Sequence, residues 1–172
     1  MIRLANEKDL DAIEQIYLDI HKAESEGKAV IGWLPGVYPV RATAEAALSR
    51  GELYVYEDGG EVLASAIINR TQVDVYEGAA WLYPARSDGA AVLHTLTVKP
   101  SAGGRGVGKA FVAFYEELAK QWGLCVLRMD TNAKNLRARA MYAALGYREA
   151  DIVPCVFNGI PDVMLVLLEK KL

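Results

Sequence analysis

The segment from Val98 to Lys109, VKPSAGGRGVGK, has residue types suited to binding a phosphate group. Four of the six residues from 103 to 108 are glycine, and the hydrophobic pattern predicts a helix that begins inside this run. A phosphate approaches backbone N–H groups closely only where no Cβ intervenes, and such loops often need a positive φ. The first N–H groups of a helix also carry partial positive charge. The segment therefore predicts an anion site, although a glycine cluster can also be a simple flexible turn.

Two common nucleotide-binding patterns match this segment poorly. The Walker pattern GxxxxGK[ST] matches at Gly103, Gly108 and Lys109, but Ala110 stands where a hydroxyl should bind Mg²⁺. The dinucleotide pattern GxGxxG fails in every register, because neither GRG nor GVG is followed by a glycine three residues later. A Rossmann-type enzyme is disfavoured, and a nucleotide hydrolase stays open only as an alternative that lacks its metal ligand.

A second group of residues, further along the chain, follows the spacing N-x-x-A-x-x-x-Y-x-x-x-G-Y. It comprises Asn135, Ala138, Tyr142, Gly146 and Tyr147. A strand ending in V-x-P, a glycine loop opening a helix, and this second motif together resemble the acetyl-CoA motifs of the GNAT (GCN5-related) N-acetyltransferase family. The two motifs cover about residues 93–148. One position departs from the family pattern, since the usual Gln or Arg at the start of the loop is a glycine here.

The resemblance implies that acetyl-CoA is the co-substrate and that no metal is needed. The strand before the loop would splay from its neighbour and pair with the pantetheine, while one of its N–H groups polarises the thioester carbonyl. The loop would hold the pyrophosphate mainly through its backbone, so that Gly103 costs side-chain support and leaves binding intact. The implied cofactor-binding residues are Leu96, Thr97, Val98, Gly103, Gly104, Arg105, Gly106, Val107, Gly108, Lys109 and Asn135.

Some polar residues near these motifs have a second interpretation. Asn135 would bind the pantetheine arm or cap the helix that follows, with Asn132 as a rival cap. Lys109, Lys134 and Arg137 could neutralise phosphates near the two helix starts. Charges at such positions are also typical of any solvated helix end.

Transfer of an acetyl group from a thioester to an amine needs a neutral amine, a polarised carbonyl and a protonated leaving thiolate. The resemblance assigns the proton donor to Tyr142, a phenol with a pKa of about 10 facing a thiol of about 8.5. Two residues are candidates for the base. His94 lies on the strand where many family members have a glutamate, and an imidazole titrates near 6.5. Asp130 matches an acidic position of ribosomal-protein N-terminal acetyltransferases. A packing role for Tyr142, a merely hydrogen-bonded His94 and a water relay stay open.

The elements that would position these residues follow from hydrophobic periodicity and turn signals. Strands are predicted at 2–4, 53–57, 62–69, 91–98, 124–129, 147–157 and 163–168, and helices at 10–20, 41–49, 105–122 and 135–145. Asp58-Gly59-Gly60 indicates a hairpin. The order of elements predicts an α/β fold in one domain over residues 1–172, with helices on both faces of a mixed sheet. The resemblance makes this the GNAT acyl-CoA N-acyltransferase fold, with a mostly antiparallel twisted sheet of about seven strands.

Two aromatic segments are candidates for the acceptor site. Residues 27–39 are predicted to form a loop that covers a site, and residues 70–90 an irregular insertion. Together they supply aromatic and acidic side chains that could accept a cation. These are Trp33, Tyr38, Asp74, Tyr76, Glu77, Trp81 and Tyr83. Simple packing of the insertion explains them equally well.

Composition excludes several classes of function. A formal net charge of −3 argues against nucleic-acid binding. Cys125 and Cys155 lie in apolar runs without metal-ligand spacing, so we expect buried reduced thiols. The N-terminal residues lack a signal-like apolar stretch and no long apolar run occurs, which predicts a cytoplasmic protein without membrane contact. A homodimer paired through the C-terminal strands is a further implication of the resemblance.

The sequence therefore predicts an N-acetyltransferase that passes the acetyl group of acetyl-CoA directly to a primary amine of a small molecule or peptide. The alternative is a non-catalytic domain that binds or senses acyl-CoA.

Overall fold

The computed structural model describes all residues, 1–172, as one seven-stranded sheet with helices on both faces. The strands are β1 (Ile2–Leu4), β2 (Leu53–Asp58), β3 (Glu61–Asn69), β4 (Ala90–Val98), β5 (Val126–Asn132), β6 (Arg148–Phe157) and β7 (Ile160–Lys171). The helices are α1 (Leu10–Ser25), α2 (Arg41–Ser49), α3 (Val107–Gln121) and α4 (Leu136–Ala144). The strand order is β1-β2-β3-β4-β5-β7-β6, and only β4 and β5 run parallel. The predicted fold class is confirmed.

Strand residues alternate between two cores, as a sheet covered on both faces requires. Leu53 and Val55 of β2 pack with α1 and α2, whereas Tyr54 between them packs with α3. The α3 face holds the largest cluster, which includes the fully buried Phe111 and Tyr115. The Tyr115 hydroxyl donates to the Ala91 carbonyl of β4 (2.6 Å), so α3 is fixed against the strand that leads into the glycine loop.

Turn chemistry sets the β2–β3 hairpin. Gly59 and Gly60 have φ of +58° and +83°, the paired positive values that a tight two-residue hairpin needs. The prediction from Asp58-Gly59-Gly60 is confirmed. The same holds at the other end of the sheet, where Asn158 and Gly159, both with positive φ, connect β6 to β7.

The prediction of a buried Cys125 is wrong, because Cys125 is exposed. Strand β5 begins at Val126, two residues later than predicted. The Leu124 N–H donates back to the Ala119 carbonyl (2.9 Å), so the chain is still closing the end of α3 at this point. Cys155 is half-buried, and burial raises the pKa of its thiol.

The insertion between β3 and β4 covers a part of the sheet that no helix covers. Trp81 stacks on the guanidinium of Arg128 at 4.1 Å, and the buried Glu169 of β7 accepts hydrogen bonds from the N–H groups of Leu82 (2.8 Å) and Tyr83 (3.1 Å). The cation that Trp81 accepts is therefore the chain's own Arg128. These contacts favour the packing interpretation for residues 81–83 of the insertion.

None of the helices is both long enough and apolar enough to span a bilayer.

Candidate active site

The sheet splits between its two parallel strands. Strands β4 and β5 share four residue pairs, which end at Leu93 and Met129. Beyond that point β5 continues to pair with β7 as far as Asn132, while β4 stays with β3. The last residues of β4 thus present a free backbone edge to an open cleft. The splaying that the family resemblance implied is confirmed.

A bulge in β4 contributes to this splaying. In the ladder with β3, His94 pairs with Ile67 and Thr97 pairs with Ser65, so two residues of β4 lie opposite one of β3. Thr95 has φ of +51°, which is uncommon for a β-branched residue. Bulges re-aim side chains and end pairing next to active sites. No pattern in the sequence indicates this bulge, and Thr95 was not predicted as a site residue.

A cavity of about 1070 Å³ occupies the cleft and extends from the glycine loop to the loop of residues 27–33. It brings together nearly all of the predicted site residues. Those that line it are His94, Leu96, Thr97, Val98, Gly103, Gly104, Gly106, Val107, Gly108, Lys109, Asp130, Asn135 and Tyr142. Trp33 and Tyr38 of the aromatic and acidic set also line it, whereas the five members of that set in the insertion do not.

Arg105 is the exception among the predicted cofactor residues, because it does not line the cavity. Its guanidinium lies 3.3 Å from the Asp58 carboxylate, at the β2–β3 turn and outside the cavity. The Thr97 side chain also turns away from the cleft, because it is buried and its hydroxyl contacts that of Ser65 (2.7 Å). Thr97 can therefore meet a ligand only through its backbone.

The glycine loop has the geometry of an anion cradle. Gly104 and Gly106 have φ of +80° and +82°, and a Cβ built on either would point into open space. The N–H groups of Gly104, Gly106, Val107 and Gly108 donate to no acceptor within the protein. Gly108 faces α4, where a Cβ would come within 3.3 Å of the Met141 sulfur. Free N–H groups at the start of a 15-residue helix, without side chains in the way, suit a diphosphate.

Asn135 caps α4, since its Oδ1 accepts the N–H of Ala138 at 3.1 Å. The helix-cap interpretation is confirmed, and the amide nitrogen of Asn135 is left for a ligand. Asn132 makes a different local bond, in which its Oδ1 accepts the N–H of Lys134 (3.0 Å). The rival cap on α4 is therefore not formed.

Asp130 is the only carboxylate that lines the cavity. Its Oδ2 accepts a hydrogen bond from the Tyr76 hydroxyl at 2.8 Å, and its Oδ1 has no partner in the protein. Burial raises the pKa of Asp130 to about 6 from its usual value near 3.8, and the bond from Tyr76 opposes this rise. Sequence reasoning placed Tyr76 in an acceptor pocket; its contact instead is with Asp130.

His94 lies on the opposite strand of the cleft and is held by Asn69. Its Nε2 lies 3.0 Å from the Asn69 Oδ1, and the amide nitrogen of Asn69 donates to Glu52 (3.1 Å). This orientation of the amide makes Nε2 the protonated nitrogen of the neutral ring. Burial lowers the pKa of His94 to about 4, so the imidazole is uncharged at neutral pH.

Two phenols complete the cavity. Tyr142 is buried, and its hydroxyl has no hydrogen-bond partner in the protein. Burial, together with the nearby charge of Asp130, raises the pKa of Tyr142 well above its usual range. The Tyr38 hydroxyl is hydrogen-bonded to the Thr95 hydroxyl, and burial likewise raises the pKa of Tyr38. Both phenols therefore stay protonated at neutral pH.

The loop that carries Trp33 and Tyr38 is tied to α1. Glu24 accepts hydrogen bonds from the N–H groups of Ile31 (2.9 Å) and Gly32 (2.6 Å), and His21 Nε2 lies 3.1 Å from the Pro39 carbonyl. Backbone groups that would otherwise be unsatisfied in a loop are thus bonded to a helix. Residues of this loop line the cavity, and its role in covering a site stays a prediction.

Comparison with known proteins identifies similar sequences. A model of the acetyltransferase (GNAT) family matches residues 10–147 of this chain. An uncharacterized N-acetyltransferase of Methanocaldococcus jannaschii is 23% identical over 171 residues, which are 99% of this chain and 92% of that protein.

Solved structures have the same fold. A GNAT-family acetyltransferase from Listeria monocytogenes superposes with a TM-score of 0.75 at 20% identity, covering 100% of this chain and 94% of that one. A protein from Salmonella typhimurium, solved with its cofactor acetyl-CoA, superposes with a TM-score of 0.69 at 18% identity, covering 99% of this chain and 92% of that one. At these identities the likeness establishes the architecture, and the chemistry of this chain must be argued from its own cavity.

Proposed function

Because the chain belongs to the acetyltransferase (GNAT) family, we propose that it transfers the acetyl group of acetyl-CoA directly to a primary amine of a small molecule or peptide. One observation carries the proposal most strongly. A single cavity contains an anion cradle at one end, a free strand edge along its wall, and a carboxylate and a phenol that have unpartnered oxygens. Acetyl-CoA supplies the activated acyl group as a thioester.

The glycine loop and β4 would hold the co-substrate. The free N–H groups from Gly104 to Gly108 bind the diphosphate without a side chain in between. The free edge of β4 at Leu96 and Val98 offers backbone donors and acceptors to the amide groups of the pantetheine arm, in the way that a strand is added to an exposed sheet edge. One N–H of this edge, held in place by the bulge, polarises the thioester carbonyl.

Asp130 is the better of the two candidate bases. Its free Oδ1 faces the cavity, and a carboxyl with a pKa of about 6 is ionised at neutral pH yet basic enough to take a proton from an ammonium group. His94 is the poorer candidate for two reasons. Its conjugate acid has a pKa of about 4, which makes the imidazole a weak base, and its Nε2 is hydrogen-bonded to Asn69. We assign His94 to positioning the strand, and the base role to Asp130.

Tyr142 completes the proton transfers. Asp130 first takes a proton from the ammonium form of the acceptor and releases it to solvent. As the new N–C bond forms and the C–S bond breaks, the second amine proton goes to Asp130 and the Tyr142 phenol gives its proton to the departing sulfur. The carboxyl proton then returns through solvent to the phenolate. The charges balance at each stage, and no group other than those in the cavity is needed.

The wall beyond Asp130 indicates the kind of acceptor. Several apolar side chains line the cavity and pack in one cluster with Tyr76, the hydrogen-bond donor to Asp130; they are Trp33, Val73, Phe157, Ile160, Val163 and Leu165. A cavity with one carboxylate and an apolar wall favours an acceptor with a single amine on an apolar substituent over one with several positive charges.

Calorimetry followed by a release assay tests the proposal. Acetyl-CoA is titrated into the protein, and a panel of amines and peptides is then screened for release of free CoA with a thiol reagent. Because Cys125 is exposed and would react with that reagent, the assay uses the Cys125→Ser variant. Saturable binding with CoA release for an apolar monoamine is the expected result. Absence of acetyl-CoA binding contradicts the proposal, and binding without release for any amine indicates an acyl-CoA-sensing domain instead.

A further inference from the structure

The position of Gly103 leaves little room for a side chain. A Cβ built there would lie 3.0 Å from the Pro100 carbonyl oxygen, and 3.4 and 3.8 Å from the two terminal nitrogens of Arg137. The guanidinium of Arg137, which comes from α4, therefore lies in contact with the place where a side chain of the loop's first residue would begin. The loop motif usually has a Gln or Arg at this position. Here the position has a glycine, and the arginine beside it comes from another element, α4.

Arg137 has no partner inside the protein, unlike its neighbours. Arg139, two residues later, makes a bidentate pair with Glu149 at 2.7 and 2.9 Å. Arg105, in the glycine loop itself, pairs with Asp58. Arg137 lines the cavity and is exposed, with neither a hydrogen bond nor an ion pair.

The location of Arg137 is electrostatically unfavourable in the free protein. It lies in the first turn of α4, which contains no acidic residue, and the partial positive charge of a helix start disfavours a cation there. The start of α3, with its free N–H groups, faces the same cavity. Three sources of positive potential thus line one cavity, and a bound anion would offset them.

We propose that Arg137 is the side-chain ligand of the diphosphate of acetyl-CoA, and that it replaces the side chain missing at Gly103. This rests on the proposed function. A guanidinium presents two parallel N–H donors that match two phosphate oxygens, so it adds directed charge to a cradle otherwise made of backbone. Lys109 and Lys134 line the cavity too, but only Arg137 lies against Gly103.

The Arg137→Ala variant tests the proposal by calorimetry with three ligands. Acetyl-CoA contains the diphosphate and a 3′-phosphate, its dephospho form has only the diphosphate, and acetyl-pantetheine has neither. The expected Kd rises about tenfold or more for the first two and does not change for acetyl-pantetheine, since hydrogen bonds to charged groups contribute on this scale. Arg86→Ala is the matched control, because it removes the same charge from an exposed side chain outside the cavity.

Other outcomes are distinguishable. A tenfold loss that disappears with the dephospho form would assign Arg137 to the 3′-phosphate and overturn the proposal. Equal losses for all three ligands, or a lowered melting temperature of the free Arg137→Ala protein, would mean that the residue is structural. An unchanged Kd with a wild-type protein that binds acetyl-CoA overturns this inference alone. A wild-type protein that does not bind acetyl-CoA overturns the proposed function.

Discussion

Asp130 and His94 line the same cavity, and burial acts on them in opposite directions. It raises the pKa of the carboxyl to about 6 and lowers the pKa of the imidazole to about 4, because in each case the charged form is the one that loses hydration. The carboxylate faces the cavity with one free oxygen, whereas the imidazole is occupied by Asn69. Burial therefore makes the Asp130 carboxylate a usable base at neutral pH and makes the His94 imidazole too weak a base for this role.

Replacement of Asp130 by asparagine should abolish the base while keeping the acceptor for the Tyr76 hydroxyl. We expect kcat/KM at pH 8 to fall about 10²-fold, since a positioned general base contributes on that scale. In the wild type, kcat/KM should rise with pH through about 6 as the carboxyl ionises, and this limb should vanish in Asp130→Asn. Asp74→Asn, an exposed carboxylate outside the cavity, is the control. A limb that persists in Asp130→Asn would assign the base elsewhere.

Replacement of Tyr142 by phenylalanine should separate proton donation from binding. The hydroxyl has no partner in the protein, so its loss should leave folding stability unchanged and the Kd of acetyl-CoA within about twofold. We expect kcat to fall about 10²-fold because the leaving sulfur loses its proton donor. Steady-state kinetics with Tyr83→Phe as control checks this. Unaltered turnover in Tyr142→Phe removes this residue from the mechanism.

At the scale of elements, the loop of residues 27–39 depends on one close approach. Gly32 has φ of +89°, and a Cβ built on it would lie 2.7 Å from the Asn132 Cγ at the end of β5. The loop is thus seated directly on the strand that carries Asp130. Any side chain at Gly32 must displace either the loop or the Asn132 side chain, and both line the cavity.

The Gly32→Ala variant should therefore raise KM for the amine, by roughly tenfold, because an active-site wall is displaced. Gly36→Ala is a matched control in the same loop, since Gly36 has φ of +71° but open space around its Cβ position. Both variants should lose a similar amount of stability from backbone strain, about 1 kcal/mol. Steady-state kinetics and urea unfolding of both variants test this. A KM that rises equally in both would mean that strain, and not the contact with Asn132, is responsible.

The elements that sequence reasoning predicted well are those coded by local patterns. Helix α3, the β2–β3 hairpin and the glycine loop depend on spacing and on glycines with positive φ, and all can be read along the chain. The bulge at Thr95 could not be predicted, because nothing in the sequence at that residue indicates a left-handed backbone conformation. The orientations of the Arg105 and Arg137 side chains also depend on their tertiary neighbours. The sequence therefore could not indicate which of the two faces the cleft.

At the scale of the whole molecule, Asp130 and His94 should nearly cancel in the pH dependence of stability. Between about pH 4 and 6 the folded protein keeps a proton on Asp130 that the unfolded chain releases, and lacks a proton on His94 that the unfolded chain binds. The first effect lowers the free energy of unfolding as pH rises, and the second raises it. Each amounts to about 3 kcal/mol.

Single variants should expose these opposite slopes. Relative to wild type, Asp130→Asn should gain stability as pH rises from about 4 to 6, and His94→Gln should gain stability as pH falls from about 6.5 to 4. Urea unfolding at several pH values measures both. If the difference in free energy of unfolding between each variant and the wild type does not depend on pH, then Asp130 and His94 titrate normally in the folded protein. A cytoplasmic location, a single domain and a homodimer stay predictions at this scale.

The four-pair ladder between β4 and β5 is the only strand pairing that joins the two antiparallel halves of the sheet. A ligand that binds both the loop after β4 and the start of α4, which follows β5, would contact both halves of the sheet and stabilise their association. Unfolding of the free protein should then begin with the separation of β4 from β5, and the amides of these paired residues should exchange hydrogen early. Saturating ligand would slow this opening, so that cellular acetyl-CoA would protect the protein as well as serve as its substrate.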